Sequence, residues 1–335
     1  MPDTMIDTAT ITAAVQLASR APSLHNTQPW RWVADGAADV RSRNDLGLKL
    51  FLDPNRVVHS TDRSSREAVI SCGVMLDHLR VALAASGWAT SVERFPNPNN
   101  RDHLATVHFS PMQFVTDAHR RRADAILARR TDRLPMAAYA DWNSFEPLLR
   151  ARLADGPVHL DVLSDDDRPE LAEAAALTES LRLYDSAYHA ELAWWTTPFA
   201  TEDGIPQSSL VSAEESERVG LSRAFPVTAH SQRRAGVNDD SATIVVLSTD
   251  GYSREDALDA GEALSTTLLE CTLAGLGSCP VTHVTELHAS RDIIGSLINR
   301  DACPQVLIRI GIAPTLEDVP PPTPRRPVEA ILTFA

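Results

Sequence analysis

Lysine is almost missing from this chain: Lys49 is the only one, and arginine carries the rest of the positive charge. Such a bias reflects coding composition more than chemistry, so a single arginine carries little information and only clusters of arginine count. Acidic residues exceed basic ones by 45 to 31, for a net charge of −14. That balance excludes nucleic acid as a partner, because neutralising a phosphate backbone requires clustered positive charge on an accessible face. A local group of arginines can still hold one small anion. Cysteine is scarce, and Cys72, Cys271, Cys279 and Cys303 have no metal-ligand spacing, so buried free thiols and no metal are expected. No apolar run approaches the ~20 residues of a membrane span, so no membrane partner is expected. The opening stretch MPDTMIDTATITAAV has acids where a signal or transit peptide carries bases, which places the expected protein in the cytoplasm. The P-loop, GxSxG, HExxH and dinucleotide-binding GxGxxG patterns are all missing. No catalytic side chain is assigned.

What is present begins with an internal repeat. With a constant shift of 188 residues, CGVMLDHLRVALAASGW from Cys72 lies on AGEALSTTLLECTLAGLG from Ala260, so that Gly73 meets Gly261, Leu76 meets Leu264 and Gly87 meets Gly275. Both copies read as long helices, apolar on most faces and therefore central, each closed by a glycine able to take the left-handed conformation. Each is followed by a β-rich stretch, LATVHF at Leu104 to Phe109 and QVLIRIGI at Gln305 to Ile312, and further strands are expected at LKLFLD and ATIVVLST. The expected architecture is α+β with two related halves, residues 1–115 and 116–335, joined near Ser110 to Asp117. Within the second half, residues 181–240 break the pattern with aromatic, turn-forming and charged segments, as a lid or a docked surface excursion would. The tail VPPPTPRRPVEAIL suits an extended arm lying along another part of the protein.

Three polar clusters stand out. RRTDR, Arg129 to Arg133, brings three guanidinium groups and a hydroxyl within five residues, enough to clamp a phosphate dianion through bidentate hydrogen bonds. PRRP, Pro324 to Pro327, adds Arg325 and Arg326 on a stiff segment, and either arginine cluster alone reads as a solvated face in an arginine-biased chain. PSLHNTQPW, from Pro22 to Trp30, presents Ser23, His25, Asn26 and Gln28 as donors and acceptors for the edge of a planar polar ring, or else forms a capped helix end leading to a core strand.

With these motifs the chain resembles the flavin-dependent nitroreductase superfamily, and within it the Acg-like branch of duplicated single-chain members. APSxxNxQPW is matched without substitution by Ala21 to Trp30; RRSxR is matched by Arg129, Arg130, Thr131 and Arg133; GLGSC by Gly275 to Cys279; and RKP by Arg325, Arg326 and Pro327. The resemblance implies an α+β, nitroreductase-like fold whose two related halves pack as an intramolecular pseudo-dimer. It implies FMN as cofactor, its phosphate held by the two arginine motifs and its ring or ribityl chain approached by Pro22, Ser23, His25, Asn26 and Gln28. Residues Pro280, Val281, Thr282 and His283 would lie beside the reactive edge of the ring, and Arg233 or Arg234 would supply a charge near its carbonyl edge. The motifs are divided between the copies, so one complete composite site and one FMN are expected. The implied partners are FMN, NAD(P)H and a small planar acceptor such as a nitroaromatic or quinone, on a monomeric pseudo-dimer or a homo-oligomer of it.

The chain also departs from the family. Thr282 and His283 fall where many members have a glutamate and a glycine, and the insertion with Trp194 and Trp195 is placed to cover the flavin face. A non-catalytic protein that stores or sequesters FMN beneath a lid is therefore the alternative, and a flavin-free interaction protein the third reading.

Overall fold

In the computed structural model, the described residues are 6–34, 47–197, 203–221, 223–226, 233–298 and 300–335. The first part of the chain runs α1 (Thr8–Ala18), β1 (Trp30–Ala34), β2 (Gly47–Leu52), α2 (Arg66–Ala85), β3 (Trp88–Arg94) and β4 (His103–Pro111). Next come α3 (Asp117–Ala128), α4 (Trp142–Leu153), β5 (His159–Leu163), α5 (Arg168–Arg182), α6 (Ser186–Trp195) and α7 (Ala213–Glu217). The remainder is β6 (Thr243–Thr249), α8 (Arg254–Leu273), β7 (Gly277–Val281), α9 (His283–Glu286), α10 (His288–Leu297), β8 (Cys303–Gly311) and β9 (Leu332–Phe334).

Two sheets result, β3-β4-β2-β1-β9 and β5-β6-β8-β7. Reversed, the second reads β7-β8-β6-β5, so corresponding strands occupy corresponding places, and in each half the long helix lies between the second and third strands in sequence. Pairing within each set of four is antiparallel throughout. The duplication inferred from two helices therefore extends to the topology of both sheets. The exception is β9, which adds to β1 in parallel, its entry fixed by Trp32 N–H donating to Ile331 O at 2.6 Å. The tail thus crosses from the second half to the first half's sheet, the arm-like course its prolines suit.

The long helices begin earlier than the aligned repeat, because their caps lie upstream of it. Ser253 caps α8 in a reciprocal box with Asp256, whereas α2 has Asp62 Oδ2 accepting from Ala68 N–H at 2.8 Å. Gly87 (φ 87°) and Gly275 (φ 73°) end them in the left-handed region. α2 and α8 cross face to face at the core. A Cβ on Gly73 would stand 2.1 Å from Leu258 O, and one on Gly261 would stand 2.1 Å from Ile70 O. These contacts exchange under the same 188-residue shift, so the crossing is pseudo-symmetric, and only two glycines let the backbones approach this closely. One turn on, Ser265 donates to Asp77 Oδ2 at 2.6 Å and meets His78 Nδ1 at 2.8 Å, while His78 Nε2 is buried without a partner.

One expectation is corrected here. α2 is long and apolar enough, by length and composition, to cross a membrane, but it is buried within the protein as a core helix. Cys72, Cys271 and Cys279 are buried free thiols as expected, and Cys303 is only half-buried.

Candidate functional site

The chain leaves α1 and turns sharply through PSLHNTQPW. His25 (φ 47°), Asn26 (φ 59°) and Gln28 (φ 51°) all occupy the left-handed region, a strained run that persists only where its surroundings hold it. Ser23 Oγ accepts from Gln28 N–H at 3.0 Å, Leu24 N–H donates to Ser71 Oγ on α2 at 3.2 Å, and Gln28 Oε1 accepts from Arg326 N–H at 2.9 Å. The strain turns Ser23, His25 and Asn26 toward two adjoining cavities, whose shared walls include Pro22, Ser23, Thr131 and Arg133.

The larger cavity, about 300 Å³, is basic. Arg20, Arg129, Arg130 and Arg325 converge on it. α3 delivers Arg129: it is capped by Thr116, and the chain then turns to an extended conformation at Arg129 and bridges to β7 at Thr131 and Ser278. Among the described residues none of the four guanidinium groups has a carboxylate partner; they are held by backbone carbonyls. Arg325 caps the end of α1, donating to Ser19 O at 2.7 Å, Arg20 O at 3.0 Å and Ala21 O at 3.1 Å. Arg129 Nε and Nη1 are buried without a hydrogen-bond partner. Burial, then repulsion from Arg130 and Arg20, lowers the Arg129 guanidinium to about 9, and burial with neighbouring cations lowers Arg325 as well. A buried cation such as Arg129, with half-buried Arg20 and Arg325 and exposed Arg130 beside it and no carboxylate in reach, is costly, and an anionic group in the cavity would offset that cost.

The second cavity, about 130 Å³, lies between α2 and α8. Ile70, Val74 and Leu264 give it an apolar side, while His25, Glu67, Arg133, Arg223, Thr282 and His283 line the remainder. Both ring nitrogens of His25 and Nε2 of His283 are buried without partners. Burial, followed by the nearby Arg223, holds His283 down at about 3 and His25 well below the usual range, so both imidazoles are neutral at physiological pH. Such groups suit a neutral, planar ligand with a polar edge. Arg133 spans the two cavities, its guanidinium 5.6 Å from the Phe225 ring centroid, and it has no carboxylate ion-pair partner among the described residues.

Of the residues singled out in the sequence, Pro22, Ser23, His25, Asn26, Arg129, Arg130, Thr131, Arg133, Pro280, Val281, Thr282, His283 and Arg325 line one cavity or both. Gln28 and Arg326 line neither. They bind each other, Arg326 also donates to Ala330 O at 2.9 Å, and together they fasten the tail to the strained turn. The Asn26 amide is likewise occupied, donating to Gly204 O at 3.0 Å and Pro324 O at 3.2 Å, while its Oδ1 is left unpartnered.

Two expectations about the insertion change. Arg233 and Arg234 are neutralised, the first by Glu215 at 2.8 Å and the second by Asp132 at 2.5 Å, and both face the larger cavity. Arg133, unlike them, lines both cavities and has no carboxylate ion-pair partner among the described residues. Trp194 is 71% exposed and Trp195 stacks near Arg56, so neither covers a cavity; Ile205, Pro206, Ser208, Ser209, Val211, Leu221 and Phe225 do. The insertion's earlier part is tied to the first half, Glu191 accepting from Thr61 N–H at 2.9 Å and Thr61 Oγ1 at 2.7 Å and Asp203 pairing with Arg56 at 2.6 Å. Sequence reasoning missed Arg20, Glu67, Arg223 and Phe225. The first directly precedes the matched motif and was within reach; the others sit in segments with no local pattern.

The 188-residue shift also locates the counterpart of the second cavity. There Thr282 becomes Arg94, His283 becomes Phe95, Ser71 becomes Asp259 and Val74 becomes Glu262. Arg94 pairs with Asp259 at 3.0 Å and Glu262 at 2.6 Å, and Arg80 adds a second cation to Glu262 at 2.8 Å. Ion pairs fill this place. Burial raises both carboxyls above their usual range despite Arg94. Arg94→Ala is therefore expected to cost about 2 kcal/mol at pH 7, a value reduced from the fully buried case because Arg94 is partly exposed. The sign follows from proton binding: carboxyls with raised values take up protons in the folded state, so the penalty should shrink as pH falls through their titration range. Denaturant melts at several pH values check this.

Fold and site together define a class, a two-sheet α+β protein with one composite pocket that has a basic end and a neutral, ring-sized end between the two central helices. No family model matches the chain. It is 56% identical over 331 residues, 99% of its length and 97% of the other, to a Mycobacterium tuberculosis protein named "Putative NAD(P)H nitroreductase acg". A second M. tuberculosis protein, uncharacterised, is 50% identical over 319 residues, covering 95% of this chain and 91% of that one. In solved structures, a nitroreductase of Anabaena variabilis, so described provisionally, superposes with a TM-score of 0.55 at 10% identity over 93% of this chain and 90% of that one. The chain belongs to the Acg-like branch of the nitroreductase superfamily, and its fold is that of the nitroreductases.

Proposed function

We propose that the chain is a flavin oxidoreductase that holds one FMN in the composite pocket and passes electrons from NAD(P)H to a small planar acceptor such as a nitroaromatic or a quinone. The observation that carries this reading is the buried Arg129 guanidinium among Arg20, Arg130 and Arg325, whose Nε and Nη1 have no hydrogen-bond partner and which has no carboxylate partner among the described residues, one cavity away from the neutral His25, with both ring nitrogens unpartnered, and His283, with Nε2 unpartnered. A phosphate dianion supplies what the first cluster lacks. A flat heterocycle with alternating donors and acceptors supplies what the second lacks. FMN joins the two in one molecule and brings the hydride chemistry when bound. Arg20, Arg129, Arg130 and Arg325 would hold its phosphate, Ser23, Thr131 and Arg133 the stretch between, and His25 with Pro280 to His283 the ring. The ion pairs of Arg94 stand against a second cofactor at the corresponding place. In these terms the two halves form a pseudo-dimer with a single site, divided at about residue 115.

Anaerobic addition of NADPH or NADH to FMN-loaded protein tests the reading. Bleaching of the flavin bands within seconds supports it; flavin that remains oxidised until dithionite is added contradicts NAD(P)H-dependent turnover. The latter outcome favours the storage reading, for which the specific support is that Ile205, Pro206, Val211, Leu221 and Phe225 of the insertion line the cavities as a lid would.

A further inference from the structure

Glu67 occupies the first turn of α2, 3% exposed, and is the only described residue that lines both the ring cavity and a third cavity of about 500 Å³. That third cavity is walled by Thr61 to Ser64 and Arg66, by Leu181 and Arg182 at the end of α5 with Asp185 before α6, and by Glu286 to Ala289 and Arg291. The Glu67 carboxyl is thus the partition between them. On the ring side, Oε2 accepts from Thr282 Oγ1 at 3.2 Å. On the other side, Oε1 lies 3.4 Å from Arg66 Nη2. Arg66 Nη2 donates to that oxygen at this long distance and is shared with Thr285 O and Thr285 Oγ1, both at 3.0 Å, while Nη1 donates to Gln305 O at 2.7 Å and Gln305 Oε1 at 3.0 Å. Arg223 is engaged by Glu286 and by Tyr188 Oη.

We propose that Glu67 is the proton-carrying residue of the ring cavity, giving its proton to the molecule reduced there and being reloaded from water through the third cavity. The inference rests on the flavin reading. Two-electron reduction of a quinone consumes a hydride and a proton. Bound flavin would supply the hydride with its two electrons; the proton leaves the Glu67 carboxyl as its O–H bond breaks, an O–H bond forms on the quinone oxygen, and the carboxylate is then reprotonated from solvent. The groups facing Glu67 support this role. Burial acts first, and Glu286 on α9 and Asp62 before α2 repel its charged form, while Arg66 and Arg223 favour it. The balance pushes the carboxyl up to about 8, so it holds its proton at pH 7 and sits close to the pH at which a general acid works best.

The test uses FMN-loaded protein, reduced with dithionite and mixed anaerobically with 1,4-benzoquinone across pH, alongside titration of the flavin midpoint potential against pH. In the wild type the reoxidation rate should fall above pH 8, and the potential should steepen its pH dependence there as reduction draws a proton onto Glu67. Glu67→Gln should bind FMN within about threefold of wild type, lose about 100-fold in reoxidation rate, and lose both the alkaline limb and the break in potential. A Glu67→Gln protein with wild-type rate and limb overturns the assignment while leaving FMN binding, and with it the flavin reading, intact. Wild-type protein that binds no FMN overturns both. If Glu67→Gln fails to fold, Thr282→Val, which removes the hydroxyl donor to the carboxylate, should move the alkaline limb upward; an unmoved limb also overturns the proposal.

Discussion

Replacing Arg129 by methionine is expected to weaken FMN binding about 100-fold while leaving the cofactor-free chain as stable as the wild type or more so. The two effects share one cause. In the free chain Arg129 is buried beside Arg20, Arg130 and Arg325, with Nε and Nη1 unpartnered and its guanidinium lowered to about 9. Methionine fills similar space without bringing a charge out of water, so folding no longer bears that cost. With a phosphate in place the same guanidinium would form charge-assisted hydrogen bonds, and losing them costs about 3 kcal/mol, or 100-fold. Calorimetric titration of FMN and thermal melts with and without it measure both. An Arg129→Met protein that is destabilised when free of FMN, yet binds FMN normally, would show that Arg129 is structural and that the anion sits elsewhere.

The largest stability effect should come from the helix crossing. Gly73→Ala puts a methyl group 2.1 Å from Leu258 O, and Gly261→Ala puts one 2.1 Å from Ile70 O; both obstacles are backbone, which cannot rotate away. Each is expected to cost about 4 kcal/mol or more, at the upper end of what overpacking does, and to weaken FMN binding because the ring cavity lies between these helices. Gly295→Ala on α10 is the internal contrast. Nothing lies within 4 Å of its Cβ position, so the substitution should add about 0.5–1 kcal/mol through helix propensity. Urea melts of the three variants read both signs. If Gly73→Ala were as stable as the wild type, the two halves would have to pack with more clearance than this crossing shows.

These glycines mark how much was legible in the sequence. The shift that aligned Gly73 with Gly261 also holds for their contact in space, because a duplicated core helix keeps its closest approach. The basic end of the pocket was legible only through the resemblance, because RRTDR or PRRP alone in an arginine-biased chain reads as a solvated face, whereas their joint match to the family patterns points to an anion. Within those clusters the roles differ. Arg325 and Arg130 face the cavity, whereas Arg326 turns back to Gln28 and the tail. Adjacent residues on an extended segment point to opposite sides, and only the pairing of β9 with β1 fixes which side is inward. That Arg233 and Arg234 carry carboxylate partners was not legible, because Glu215 and Asp132 come from separate segments and no local spacing reveals them. Glu67 escaped notice for the opposite reason. An acid in the first turn of a helix reads as an ordinary partner of the helix dipole. Its significance comes from α9 and the insertion, which bring Glu286 and Arg223 to it across more than 150 residues of chain.

The central claim is that both halves contribute to one cofactor site and that the corresponding place is filled by Arg94, Asp259 and Glu262. Titration of FMN into cofactor-free protein, followed by the quenching of flavin fluorescence, tests it most directly. The account predicts a sharp end point at one FMN per chain, abolished or blunted in Arg129→Met. An end point of two FMN per chain, or no saturable binding, would contradict it.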